Sequence, residues 1–218
     1  MDNMNHGINT NLSENEVTDT SSPIVDVTDG RRVRSQESKQ RIVHAMLELV
    51  RDGNVSPTAE EVAQKADVGL RTLFRRFKDM ESLYAEMSIA IKEKVAPLID
   101  EPLSHQHWWE NLHQLVDRRA KVYEIIMPYR VAAEALKFQS TVLSSHHSQI
   151  VYDEREKLLA VVPENMLYDR PLIEALQAAL SFDMWNQLRN DQRLGAAEAG
   201  EVVQRMIRGL LPHPPYTN

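Results

Sequence analysis

Cysteine is absent from the 218-residue chain, which excludes disulfides, Cys-based zinc sites and a thiol nucleophile. Glycine is scarce, and the seven that occur form neither a phosphate-cradling loop nor a Gly-x-Ser-x-Gly elbow. The carboxylates are scattered along helical stretches rather than paired. These absences argue against an enzyme, and nothing calls for a metal or any other cofactor. Long apolar runs are missing and the amino-terminal segment is polar, so neither a membrane-spanning helix nor a secretory signal is expected. The expectation is a soluble, cytoplasmic protein that makes no membrane contact. β-Branched runs are few, while apolar residues recur three and four apart, which predicts an all-α fold.

The net charge of −7 hides an uneven distribution. Residues 1–30 carry six acids and no Lys or Arg, residues 31–79 carry eleven basic against seven acidic side chains, and the remainder is acidic again. Positive charge is therefore concentrated in one segment, as contact with a phosphate backbone requires. Residues 1–30, rich in Asn, Asp, Ser and Thr, hold too few large apolar groups to offset ordering entropy and read as a disordered acidic tail. The run Arg31-Arg32-Val33-Arg34 follows. It is either a basic arm for the DNA backbone or minor groove, or a solvated linker end.

The basic segment has the pattern of a helix-turn-helix. A first helix over about residues 36–52 carries Ile42, Val43, Ala45, Met46, Leu49 and Val50 on its apolar side and stops at Gly53. Thr58 and Glu61 then form a capping box, ahead of the apolar stripe Val62, Ala63 and Ala66. Asp67 suits the turn, and Val68 suits the angle between two crossing helices. From Gly69 a further helix places Leu70, Leu73 and Phe77 on an inner face and turns Arg71, Thr72, Arg75 and Arg76 elsewhere. Such a face can enter a major groove, where Arg bonds guanine twice and Thr meets a thymine methyl. Arg71 and Thr72 are the base-contact candidates, with Leu70 against a thymine methyl. Arg75, Arg76, Lys78 and the Thr58 hydroxyl are the phosphate candidates.

At these residues the chain resembles the tetracycline-repressor (TetR) family of bacterial regulators. The resemblance covers about fifty residues. It runs from Arg41 to Gly53 of the first helix through Thr58, Val62-Ala63, Ala66-Asp67-Val68-Gly69 and Thr72-Leu73-Phe74-Arg75-Arg76-Phe77 to Glu81-Ser82-Leu83-Tyr84. A weaker likeness covers Trp185, Leu188-Arg189, Leu194 and Ala199. The chain also departs from the family pattern. Asp67 stands for the usual turn glycine, Gly69 for a serine, Phe74 for a tyrosine and Met80 for a lysine, while Arg76 and Lys78 add permanent charge. Phosphate anchoring is thus redistributed.

Beyond the reader, a fourth helix over about residues 81–98 is expected to follow without a linker and to act as a rigid lever, closed by Pro97 and Pro102. Helices are predicted over 106–127, from Pro128 through Val142, over 144–162, from Pro171 to Leu188, and from Gly195 to Pro212. The domains are therefore 1–30 tail, 31–80 DNA reader and 81–218 ligand-binding and dimerisation body. The resemblance implies that the last two helices pair across a two-fold axis, with Ile173, Leu176, Leu180, Met184, Val203, Met206, Ile207 and Leu210 at the interface. The alternative is that they only complete the chain's own core. A homodimer sets two recognition helices roughly 34–36 Å apart.

The resemblance also implies a cavity for a small effector, bordered by Trp108, Tyr123, Met127 and Phe138; ordinary core packing is the alternative for each. Arg119, Arg130 and Asp183 are unusual for a core and either orient a polar ligand or lie exposed. His105, His107, His113, His146 and His147 do not share one helical face and read as surface or capping residues rather than metal ligands. The sequence thus points to a homodimeric, ligand-responsive transcriptional repressor bound to a palindromic duplex. The competing reading is a helical protein-interaction module whose helix-turn-helix no longer binds DNA specifically.

Overall fold

The computed structural model describes residues 27–211, with side chains described from Arg32. Among these residues the structure is all helical: α1 Val27–Arg51, α2 Ala59–Lys65, α3 Leu70–Arg76, α4 Met80–Ile99, α5 Trp108–Leu136, α6 Thr141–Leu159, α7 Arg170–Ala179, α8 Phe182–Asn186 and α9 Ala196–Leu210. A 3-10 turn, Glu164–Met166, precedes α7, and a π-helical turn, Gln187–Asp191, extends α8. No described helix is long and apolar enough to cross a membrane.

Local chemistry sets the boundaries of the first four helices. At the end of α1, Gly53 takes φ +100, and the N–H groups of Gly53 and Asn54 return to the Val50 and Leu49 carbonyls at 3.1 and 3.0 Å. The turn after α2 has the same design with Asp67 at φ +52. There the N–H groups of Asp67 and Val68 reach the Gln64 and Ala63 carbonyls at 3.1 and 3.0 Å. Both are Schellman closures, which need a left-handed residue just past the helix; Asp tolerates that better than most side chains do. Thr58 caps α2, its hydroxyl accepting the Glu61 N–H at 3.2 Å while the Glu61 carboxylate accepts the Thr58 N–H at 2.7 Å. Asp79 and Ser82 cap α4 in the same reciprocal way.

Two apolar cores result. The first joins Ile42, Met46 and Val50 of α1 to Val62, Leu73 and Phe77, and it draws in Leu83 and Met87 of α4 and Tyr129 and Ala132 of α5. Burying one such side chain stabilises the fold by about 1.5–3 kcal/mol. The second core spans α4 to α9 around Leu112, Leu158, Leu176 and Ile207. The reader's packing thus continues past residue 80 into α4 and α5.

Several expected boundaries move. α5 runs unbroken through Pro128, where a break was expected: the missing N–H interrupts one bond of a 29-residue helix whose neighbours hold it. The helix expected over 171–188 is instead α7 and α8, because Ser181 ends one and caps the next by accepting the Met184 N–H at 3.1 Å. α1 begins at Val27, nine residues before the expected start, so residues 27–30 are helical and not part of a disordered tail. The rest of the expected tail, and Pro212, lie outside the described residues.

Candidate nucleic-acid interface and ligand cavity

α3 has two unlike sides. Leu73 and Phe77 are buried against α1 and α2, whereas Arg71, Phe74 and Arg75 are exposed, Leu70 is just exposed and Thr72 is half-buried. Lys78, Gly69 and Thr58 also lie at the surface. Gly69 N-caps α3 with φ −70 and open space around its Cα, so its backbone does not demand a glycine. The base-contact candidates and Arg75, Lys78 and Thr58 are therefore placed where a groove or a phosphate can reach them.

Arg76 is placed differently. Its Nη1 donates to Ser35 Oγ of α1, and its Nε is buried without a partner. The guanidinium is a tie between α3 and α1, which corrects its assignment as a phosphate contact. The reason is helical spacing: Leu73, Arg76 and Phe77 share a face, and that face is the buried one. The basic run is also altered, since Arg32, Val33 and Arg34 are exposed turns of α1 rather than a separate arm.

The fourth helix joins the reader to the body. Lys39 of α1 pairs with Glu86 at 2.5 Å. At the start of α4, the Glu81 carboxylate accepts the Ser140 hydroxyl at 3.0 Å and the Val142 N–H at 3.1 Å, clamping α4 to the start of α6. Met87 belongs to the reader's core and also lines a cavity of about 730 Å³ enclosed by α4, α5 and α6.

That cavity has apolar walls with buried charge set into them. Along α5 the stripe Arg119, Tyr123, Ile126 and Arg130 faces it. Arg119, 6% exposed, donates to the Leu180 carbonyl at 3.0 Å and to the Glu154 carbonyl. The Tyr123 hydroxyl lies 3.0 Å from the Glu154 carboxylate and 2.9 Å from the Leu180 carbonyl. Burial first, and then the Glu154 charge, push the Tyr123 hydroxyl far above its ordinary pKa, so it stays protonated. Burial also lowers the pKa of His146, with Lys92 and Arg130 acting in the same direction. His147 Nδ1 sits 2.8 Å from Glu134, which also binds Lys137. Burial raises the Glu134 pKa, but Lys137, His147 and Arg130 outweigh it and hold the carboxyl below its usual range.

Of the four residues expected to border a pocket, only Tyr123 does. Phe138 is 90% exposed, because the chain leaves α5 just before it. Trp108 and Met127 pack against the body's core away from the cavity wall. Arg119 and Arg130 are buried on the wall, whereas Asp183 is exposed. His146 and His147, read from sequence as surface or capping residues, also line it. Their signal was available in the α6 spacing His146, Ile150, Asp153 and Lys157, a polar-apolar stripe at helical intervals.

The expected interface residues are placed inside the chain's own core. Ile173, Leu176, Leu180, Val203 and Ile207 are at most 4% exposed in the single chain, while Met184, Met206 and Leu210 are half-buried. The first five are therefore unavailable to a partner surface. They lie on α7, at its C-cap and on α9, which pack on one another, and α9 also packs on α5.

No protein-family model matches the sequence. No curated protein matches it at a significant level. Solved structures do share its fold. A transcriptional regulator from Rhodococcus sp. Rha1 superposes with a TM-score of 0.61 at 13% identity, over 79% of this chain and 95% of the other. The multidrug binding protein EbrR, solved with imidazole, superposes with a TM-score of 0.57 at 20% identity, over 81% of this chain and 90% of the other. The chain thus shares the helical fold of these two proteins.

Proposed function

We propose that the chain is a DNA-binding transcriptional regulator, a ligand-responsive repressor that binds a palindromic duplex as a homodimer. The observation that carries this reading is the two-sidedness of α3, with Leu73 and Phe77 anchored while Arg71 and Arg75 stand exposed beside Thr72. The concentration of positive charge in residues 31–79 supports it. The reader would comprise residues 31–80 and the body residues 81–218, with α4 shared between them. Residues of α4 support the coupling: Met87 and Ile91 touch both the reader's core and the cavity. A ligand that prefers one seating of α4 would shift the spacing of two readers by its differential affinity for the two states. Dimerisation would use the outer faces of α7 and α9, with Met184, Met206 and Leu210 at the edge, because the inner faces are filled.

Exposed Phe74 and Leu70 favour the protein-interaction reading as the rival. Anisotropy titrations on random duplex DNA separate the two. A regulator gives affinities that fall linearly with the logarithm of salt concentration, and fragments selected from a random pool converge on an inverted repeat. Arg71→Ala is expected to lose about 1–3 kcal/mol on the selected site and little on random duplex. Absence of duplex binding even at low ionic strength would refute the regulator.

A further inference from the structure

The cavity contains one buried charge without a hydrogen-bonding partner. Arg130 is 7% exposed, its Nε has no partner, its guanidinium lies 4.9 Å from the centre of the Phe182 ring, and it acts on the Glu134 charge with no hydrogen bond between the two. The neighbouring guanidinium on the same stripe, Arg119, differs in being satisfied by two main-chain carbonyls. The half-buried carboxylates nearby are already engaged, Glu154 by the Tyr123 hydroxyl and Glu134 by His147 and Lys137. The other acids on the wall do not supply the missing partner: Asp153 accepts from Gln149 at 2.7 Å, while Asp100 and Glu156 are solvent-exposed. Burial first, with Lys92 and Arg130 acting in the same direction and Asp153 against them, holds His146 toward its neutral form. A buried cation in that state is stabilised by any anion that can reach it, and a planar guanidinium matches a carboxylate with two parallel bonds. Apolar surface comes from Met87, Ile91 and Val95 of α4 and from Ile126 on the α5 stripe itself.

We propose that this cavity takes an amphipathic organic acid, with its carboxylate on the Arg130 guanidinium and its apolar body against α4 and α5. This rests on the ligand-responsive reading and gives the effector a chemical class. The closeness of Arg130 to α4 through His146 and Lys92 puts the proposed anchor beside the helix that enters the reader.

The test uses three probes of one shape: 4-phenylbutyrate, 4-phenylbutanamide and 4-phenylbutylammonium, each titrated calorimetrically into the full chain at neutral pH. The acid is expected to bind at least tenfold more tightly than the amide, and the amine most weakly. In Arg130→Gln the acid should bind within about twofold of the amide, and Arg130→Lys should keep part of the preference. Equal binding of acid and amide, tighter binding of the amine, an unchanged preference in Arg130→Gln, or no binding of any probe would each overturn the proposal. If Arg130→Gln does not fold, the charge series on the unchanged chain and on Arg130→Lys decides. Duplex binding is read on the same samples. Acid preference without DNA binding removes the regulator and keeps the anion site, and DNA binding without acid preference does the reverse.

Discussion

The reader of α1 to α3 and the body of α4 to α9 treat polar groups in opposite ways. In the reader, the described core is apolar apart from Ser38, and charge stays on the outside of α3 or, with Arg76, ties one helix to the next. In the body, three arginines, two tyrosines and two histidines line a cavity, with Arg119 and Arg130 among them buried. The first three helices thus form an apolar platform that leaves Arg71 and Arg75 facing outward. In the body, Arg119 is tied to two main-chain carbonyls, whereas the buried Arg130 Nε has no partner. Such charge costs stability when left alone.

The sharpest challenge to this contrast is Leu73→Ala. Leu73 is fully buried between α1, α2 and α3, so its truncation should cost about 2–5 kcal/mol in urea unfolding and abolish duplex binding. A loss below about 1 kcal/mol would mean that the reader is not the apolar platform described. Next comes Arg119→Met, which removes the donors to the Leu180 and Glu154 carbonyls while keeping much of the side chain's volume. About 1–3 kcal/mol should be lost, because two bonds from a buried, charged donor are removed, although the Leu180 carbonyl keeps the Tyr123 hydroxyl. A stabilised variant would show that this charge is dispensable to the fold.

The smallest expected effect concerns Glu124, whose carboxylate receives Arg189 Nε and Nη2 at 2.8 and 3.0 Å and the Trp185 indole N–H at 2.9 Å. The Arg189 bonds, aided by Trp185 and opposed by partial burial, lower its pKa below 4.5. A carboxyl with a depressed folded pKa contributes stability that is fully present above its unfolded value and is lost as pH falls through the folded one. Because the pair is partly solvated, the contribution is about 0.5–1 kcal/mol at neutral pH. Wild type should exceed Glu124→Gln by that margin at pH 7 in thermal melts, and the gap should close as pH drops below 4.5. A gap that stays constant down to strongly acidic pH would assign the effect to packing.

Much of the reader was legible because its determinants are local. Thr58 with Glu61, Asp67 and Gly53 each act within five residues, and the stripe Ile42, Met46, Val50 repeats at helical spacing. Arg76 was misplaced because charge was weighed above its spacing from Leu73. In the body, Phe138 suggested a pocket by its type, yet a position one residue past the end of α5's cap leaves it in solvent. The burial of Ile173, Leu176, Leu180, Val203 and Ile207 in the chain's own core has a related reason. A periodic apolar stripe says that a face is buried, not whether a neighbouring helix or a second chain buries it, and α5 already covers the inner sides of α8 and α9.

Composition and spacing alone fixed the helical class, the segregation of positive charge and the turn that holds α3, since each depends on neighbours close along the chain. The tertiary structure alone decided that Arg119 and Arg130 share a wall with His146, that Arg76 turns inward and that Pro128 lies inside a helix. Those outcomes depend on packing between segments sixty or more residues apart in some cases, such as Arg119 against Leu180. Helical periodicity carries no information about which faces meet; the shape and volume of the assembled core make that choice.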